Sequence, residues 1–120
     1  MATPFKILVV EDNQQLLHVI TEMLRLLGHE AHAYASAEEA LDVVDTMEFD
    51  MLLTDINLPD MSGIDFAAAV VEKKPSVRVV FASGYGYLVS EKLSFRFTLL
   101  NKPYNFAQLQ HSLKDAVSAA

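Results

Sequence analysis

The sequence predicts an α/β domain, a doubly wound five-stranded parallel sheet with helices on both faces. Two observations carry this. Short apolar runs alternate with longer segments of helical periodicity, and the segments between runs are long enough to act as crossover helices. At 120 residues and 52% hydrophobic, the chain 1–120 reads as a single domain, able to bury roughly two thirds of the surface that its unfolded form exposes.

Ile7-Leu8-Val9-Val10 is a strand buried on both faces. A helix follows from about Asn13 to Leu27, with Leu16, Ile20, Met23 and Leu27 inward, and Gly28 supplies the left-handed residue that ends it. Glu30–Tyr34 is a weaker strand. Ser36-Ala37-Glu38-Glu39 is a capping box in which Ser36 accepts from the third backbone N–H and Glu39 reaches back, with Ala37, Leu41, Val44 and Met47 facing the core. Met51–Thr54 is the third strand, and Pro59 and Gly63 punctuate the loop after it. A helix starting after Ser62 turns Phe66, Ala67, Val70 and Val71 inward and ends before Pro75. Val77–Ala82 is the fourth strand. The pattern then weakens, leaving space for a short or irregular fourth helix before the strand Phe97–Leu100. Asn105, with Gln108 at the reciprocal position, caps a last helix whose inward residues are Phe106, Leu109, Leu113 and Val117.

Composition excludes several classes. The chain has no cysteine, so it has no disulfide scaffold, thiolate metal site or Cys nucleophile, and a cytoplasmic location is the expectation. The first residues lack the layout of a signal peptide, and no apolar run approaches the roughly 20 residues that span a bilayer, so no membrane role is expected. A net charge of -7 repels a polyanion, which argues against direct nucleic-acid binding. His18, His29, His32 and His111 show no ligand spacing.

In open parallel sheets the ligand site lies beyond the carboxyl ends of the strands. The residues that end the apolar runs here are Glu11 and Asp12, Asp55, Ser83 and Lys102. With the first and third strands as neighbours, three carboxylates converge. A hard divalent cation with oxygen ligands favours all three in the ionised form, and Mg²⁺ is the natural candidate, with Mn²⁺ as a substitute. Asp55 then suits a nucleophile toward phosphorus, with Lys102 and Ser83 placed to neutralise or hydrogen-bond the equatorial oxygens.

The ordered set "VVEDN" at 9–13, "LLTDINLPDMSG" at 52–63, "FASG" at 81–84 and "NKPY" at 101–104 resembles the receiver domain of two-component response regulators. The resemblance covers essentially the whole chain. It implies a flavodoxin-like sheet of order 2-1-3-4-5 and matches Asp55 to the phosphorylated aspartate. Glu11 and Asp12 match the acidic pair for Mg²⁺, and Asn57 the position that gives a backbone carbonyl to the metal. Ser83 matches the switch hydroxyl, and Lys102-Pro103 the lysine and the peptide bond that is usually cis. The partners it implies are a sensor histidine kinase or phosphotransfer protein and a downstream protein, with the chain a monomer or a phosphorylation-dependent dimer. A Met1 start and an end near the last helix favour a stand-alone regulator over a receiver cut from a hybrid kinase.

Two positions depart from the family pattern. Leu99 stands where an aromatic switch residue is usual, and the stretch from Ser83 to Lys102 is short. Both are features of the FAT GUY receivers, which "FASGYG" at 81–86 resembles. The expected signalling surface is Gly84, Tyr85, Gly86, Tyr87, Leu99 and Tyr104. A pseudo-receiver that ignores phosphate is the rival binding module, but the acidic, hydroxyl and lysine positions are all filled. The rival enzyme is an aspartyl-phosphate hydrolase of the haloacid dehalogenase type. That chemistry needs an acid two residues after the nucleophile, where this chain has Asn57. The expectation is therefore a phosphoacceptor that assists its own phosphotransfer and dephosphorylation, not a turnover enzyme.

Overall fold

Alternate residues of the central strands enter two different hydrophobic cores, one on each face of a single sheet. The computed structural model describes residues 4–84 and 95–118. In chain order the elements are β1 (Lys6–Val10), α1 (Gln14–Leu26), β2 (Glu30–Tyr34), α2 (Ala37–Val44), β3 (Met51–Asp55), α3 (Gly63–Lys73), β4 (Arg78–Ser83), β5 (Phe97–Asn101) and α4 (Phe106–Ser118). The strands are all parallel and lie in the order β2-β1-β3-β4-β5. The expected short helix between the fourth and fifth strands lies outside the described residues.

Right-handed crossovers decide which helix covers which face. The chain moves one way along the sheet from β1 to β2 and the other way from β2 onward, so α1 and the next helices fall on opposite sides. Leu8, Val10, Leu52, Val79 and Phe81 accordingly pack with residues of α2 and α3, and Ile7, Val9, Leu53, Val80 and Ala82 with residues of α1 and α4. Phe66 and Phe81 are fully buried in the first core, each burial worth roughly 1.5–3 kcal/mol. The reversal lies between β1 and β3, which opens a crevice at their carboxyl ends.

The helix starts are held by side chains. Asn13 accepts from Leu16 N–H at 3.0 Å, Ser36 from Glu39 N–H at 3.2 Å and Ser62 from Ile64 N–H at 3.1 Å. Asn105 and Gln108 each accept the other's backbone N–H at 2.8 Å, which is the full reciprocal cap. At α2 a second acceptor joins the Ser36 cap. Asp60, from the loop after β3, accepts Glu38 N–H at 2.8 Å, so a distant carboxylate supports the orphan donors of that helix. Gly28 closes α1 at φ +92°, with its N–H on the Arg25 carbonyl at 2.9 Å.

Most residues expected to face inward are buried, among them Ile20, Val44, Phe66, Val70, Leu109 and Leu113, but the stripes differ at their edges. Leu24, Ala40 and Ala116 are buried, whereas Leu16, Met23 and Leu41 are half-buried at the margins. Phe106 is 40% exposed, not a core residue: it opens α4, where the helix has only begun to meet the sheet. Among the described residues no helix is long and apolar enough to cross a membrane.

Candidate functional site

Each strand near the crevice delivers one piece of the site at its carboxyl end. Glu11 follows β1, its backbone N–H donating to the Tyr34 carbonyl at 3.1 Å, so the β1–β2 ladder runs one residue past the strand and fixes it. Asp55 is the last residue of β3, and Ile56 N–H on the Ala82 carbonyl (3.2 Å) ties the following residue to β4. Ser83 ends β4 and lies in register with Asn101 of β5. Lys102 follows β5, its N–H donates to the Ser83 carbonyl at 2.7 Å, and the Lys102–Pro103 peptide after it is cis.

The Lys102 side chain bridges two elements. Its Nζ lies 2.7 Å from Glu11 Oε1 and 2.5 Å from Asp55 Oδ1, so one ammonium joins the ends of β1 and β3. Glu11 is 2% and Asp55 6% exposed, and Asp12 stands on the exposed rim beside them. Oxygen atoms of Glu11, Asp12 and Asp55 all lie within 4.8 Å of one another.

Such crowding decides the protonation. Burial pushes Asp55 up, its hydrogen bond to Glu11 pushes it further, and Lys102 pulls it back only in part, leaving its pKa at about 7. Glu11 moves the other way. Burial would raise it, but hydrogen bonds to Asp55, Lys102 and the Asn13 N–H hold it below its ordinary value. The two carboxyl groups share their charge, with Glu11 the ionised member. Asp12 is raised by desolvation and by Glu11 beside it. On Lys102, burial favours the neutral amine, yet pairing with Asp55 and Glu11 outweighs it and raises the pKa.

One ammonium therefore does not offset three carboxylates. The donor set is all hard oxygen, and its excess negative charge fits a divalent cation of the Mg²⁺ type. Asn57 sits on the exposed rim, where its backbone bridges to Ser62. Ser83 is buried, its hydroxyl donating to the Gly84 carbonyl at 3.0 Å. Leu99 is in register with Phe81 and 37% exposed. Tyr85, Gly86 and Tyr87 lie outside the described residues.

Three residues have roles that the sequence reading did not assign. Gly63 N–H donates to the Ile56 carbonyl at 2.7 Å, and a Cβ at Gly63 would collide with the Asp55 carbonyl oxygen. The glycine lets the start of α3 close against the nucleophile's own backbone, and its place just after a Ser cap was the available signal. Asp60 holds α2, a contact with no local signature. Tyr104 packs into the core shared with α1, its hydroxyl buried without a partner among the described residues. Burial, and then the charges of Asp55 and Glu11, raise its pKa.

A parallel α/β sheet with a lysine-bridged acidic pocket at its switch point defines a doubly wound fold with an acidic strand-end site, and comparison with known proteins names the family. The model for the response regulator receiver domain matches residues 7–114, and the chain belongs to that family. The Pseudomonas aeruginosa response regulator protein FleR is 35% identical over 81 residues, which are 68% of this chain but 17% of FleR, so the chain spans less than a fifth of that relative. The response regulator receiver protein CpdR of Brucella abortus is 25% identical over 118 residues, covering 96% of this chain and 98% of CpdR. Among solved structures, the response regulator TrrA of Thermotoga maritima, in complex with Mg²⁺ and BeF, aligns with a TM-score of 0.82 and 26% identity. That alignment covers 92% of this chain and 97% of TrrA.

Proposed function

We propose that this chain is a phosphoacceptor in a two-component phosphorelay: Asp55 takes a phosphoryl group from the phosphohistidine of a sensor kinase or phosphotransfer protein, and the signal passes on by protein–protein contact. The observation that carries the reading is the Lys102 ammonium lying at 2.7 Å from Glu11 and 2.5 Å from Asp55. That arrangement holds a nucleophilic carboxylate at a strand end beside the charge its phosphorylated form would require.

In the reaction, an Asp55 oxygen bonds to phosphorus as the P–N bond to the donor imidazole breaks, and the imidazole leaves with a proton. Lys102 then exchanges the Asp55 carboxylate for a phosphoryl oxygen while keeping Glu11, so little side-chain movement is needed. The Ser83 hydroxyl turns from the Gly84 carbonyl toward a second phosphoryl oxygen. Mg²⁺ held by Glu11, Asp12, Asp55 and the Asn57 carbonyl would neutralise charge building on the phosphoryl oxygens. The Mg²⁺–BeF complex of TrrA supports this assignment by likeness. Hydrolysis of the acyl phosphate resets the chain, and the reading is of a signalling acceptor, not a turnover enzyme.

We further assign the chain to the FAT GUY receivers. The support is "FASGYG" at 81–86 together with Leu99 where an aromatic is usual. The exposed leucine beside Phe81 offers no ring to couple to the Ser83 hydroxyl, so the signal is assigned to the 84–97 segment. The setting is cytoplasmic and bacterial, in keeping with a cysteine-free acidic chain.

Intact-mass spectrometry after incubation with acetyl phosphate and Mg²⁺ tests the proposal. A single phosphoryl adduct, lost in Asp55→Asn and with EDTA, is the expected result. An adduct that survives Asp55→Asn would overturn the assignment of the acceptor. No adduct, together with no binding of beryllofluoride, would instead make the chain a phosphate-independent pseudo-receiver.

A further inference from the structure

The loop that carries Asn57 is anchored at its base, its flank and its apex. A bridge between Asn57 and Ser62 closes the base, and next to it Gly63 N–H donates to the Ile56 carbonyl at 2.7 Å. Leu58 and Met61 pack against the core that the sheet forms with α2 and α3. The apex is held by charge and not by packing. Asp60 Oδ2 accepts Glu38 N–H at 2.8 Å, so a carboxylate of this loop is tied to the first turn of α2. That position suits a carboxylate, because unpaired backbone N–H groups and the positive end of the helix dipole meet there.

The other half of the acidic site is tied to the same helix. Glu11 N–H donates to the carbonyl of Tyr34, the last residue of β2, at 3.1 Å. Two residues on, Ser36 caps α2 by accepting Glu39 N–H at 3.2 Å. A closed circuit results. It runs from Glu11 through the end of β2 and the first turn of α2 to Asp60, and then along the loop to Asn57 and Asp55. Without the Asp60 bond the circuit is open, and the apex of the loop is left to the packing of Leu58 and Met61.

We propose that Asp60 is a positioning residue for the metal site, closing a brace through α2 that holds the Asn57 carbonyl in place relative to Glu11 and Asp12. The proposal rests on the reading that these groups and Asp55 hold Mg²⁺. Octahedral Mg²⁺ demands near-ideal placing of its oxygen ligands, and a carbonyl on an untethered loop would have to be ordered when the ion binds. Hydrogen bonds that aim the ligands are therefore felt in metal affinity. Asp60 is not among the three carboxylates that lie within 4.8 Å of one another, so it acts through the loop and not on the ion.

The test is an ¹⁵N–¹H NMR titration of the unphosphorylated chain with MgCl₂, in the wild type, Asp60→Ala and Asp60→Asn. Asp60→Ala should weaken Mg²⁺ binding by about threefold to tenfold. Asp60→Asn keeps an acceptor oxygen and removes the charge, and its affinity should stay within about twofold of the wild type. Glu38→Pro removes the donor from the other side, in the first turn of a helix where proline is tolerated, and should repeat the loss seen in Asp60→Ala. A residue that merely caps α2 would lower the urea midpoint and leave the Mg²⁺ affinity of the folded protein unchanged, and that result in Asp60→Ala or Glu38→Pro would overturn the proposal. Equal losses in Asp60→Ala and Asp60→Asn would overturn it too, since they would show a long-range effect of charge. A wild type without saturable shifts at Asp12 and Asp55 would instead remove the Mg²⁺ reading, and the brace with it.

Discussion

Replacing Asp55 by Asn should stabilise the metal-free protein, and the gain should grow with pH. Folding raises the Asp55 pKa from 3.8 to about 7, a difference of about 3 units, each worth 1.36 kcal/mol. Below the unfolded value both states hold the proton and the group is neutral toward stability. As pH rises between the two values, the unfolded chain ionises while the fold retains the proton, so stability falls with each unit. Above about 7 the full penalty, at most about 4 kcal/mol, is in place. The attraction to Lys102 is already contained in that pKa, so the penalty is what remains after the ion pair has acted. Glu11 has the opposite sign: its lowered pKa contributes stability at neutral pH that is lost as pH falls through its folded value. Glu11 is present in both proteins, and the amide introduced by Asp55→Asn can donate to it as the protonated Asp55 does, so the pH dependence of the difference between them reports chiefly Asp55. From pH 5 to pH 8 the advantage of Asp55→Asn should grow by up to about 3 kcal/mol, or roughly 10 °C in Tm for a domain of this size. Urea unfolding followed by circular dichroism in EDTA at both pH values measures it. An advantage that is the same at pH 5 and pH 8, or a wild type that is the more stable at pH 8, would refute the reasoning.

Three further outcomes follow from the same geometry. Millimolar Mg²⁺ should raise the Tm of the wild type at pH 8, because a cation that binds only the folded state stabilises it, and the rise should shrink sharply in Asp55→Asn. Gly63→Ala should cost about 2–4 kcal/mol in urea unfolding, since the added Cβ meets the Asp55 carbonyl and comes within 2.9 Å of Ile56 Cα, all backbone that has to shift. Tyr104→Phe should be neutral or stabilising by up to about 1 kcal/mol, because it removes a buried hydroxyl that finds no partner among the described residues; a clear loss of stability would show that the hydroxyl is bonded.

The strand ends were legible because they obey a local rule. Apolar runs long enough to span the sheet must stop where the chain meets water, so a charged or hydroxyl residue directly after each run marks the carboxyl edge. Glu11, Asp55, Ser83 and Lys102 could be read in this way, and the β1–β3 neighbourhood followed from the type of five-stranded sheet expected. The helix faces were less legible. Periodicity alone does not separate Met23 from Leu24 or Leu41 from Ala40, since both members of each pair border the apolar stripe. Which one is buried depends on the angle at which the helix rests on the twisted sheet. Phe106 shows the same limit: its hydrophobicity suggested the core, but its place at the first turn of α4 leaves it at the rim.

By itself the sequence determined the class of fold, the strand ends and the inventory of charged groups, because these depend on periodicity and on residues adjacent in the chain. Only the tertiary structure decided how those charges combine. Lys102 reaches two carboxylates from two different strands, Asp60 caps a helix 22 residues away, and Gly63 closes on the backbone of Asp55. Each contact joins residues far apart in sequence, so its energy depends on distance and burial that no local pattern encodes. The protonation of Asp55 is the clearest case. A carboxylate at a strand end was visible from the chain, but its competition with Glu11 for a proton and for one lysine exists only once the sheet has formed.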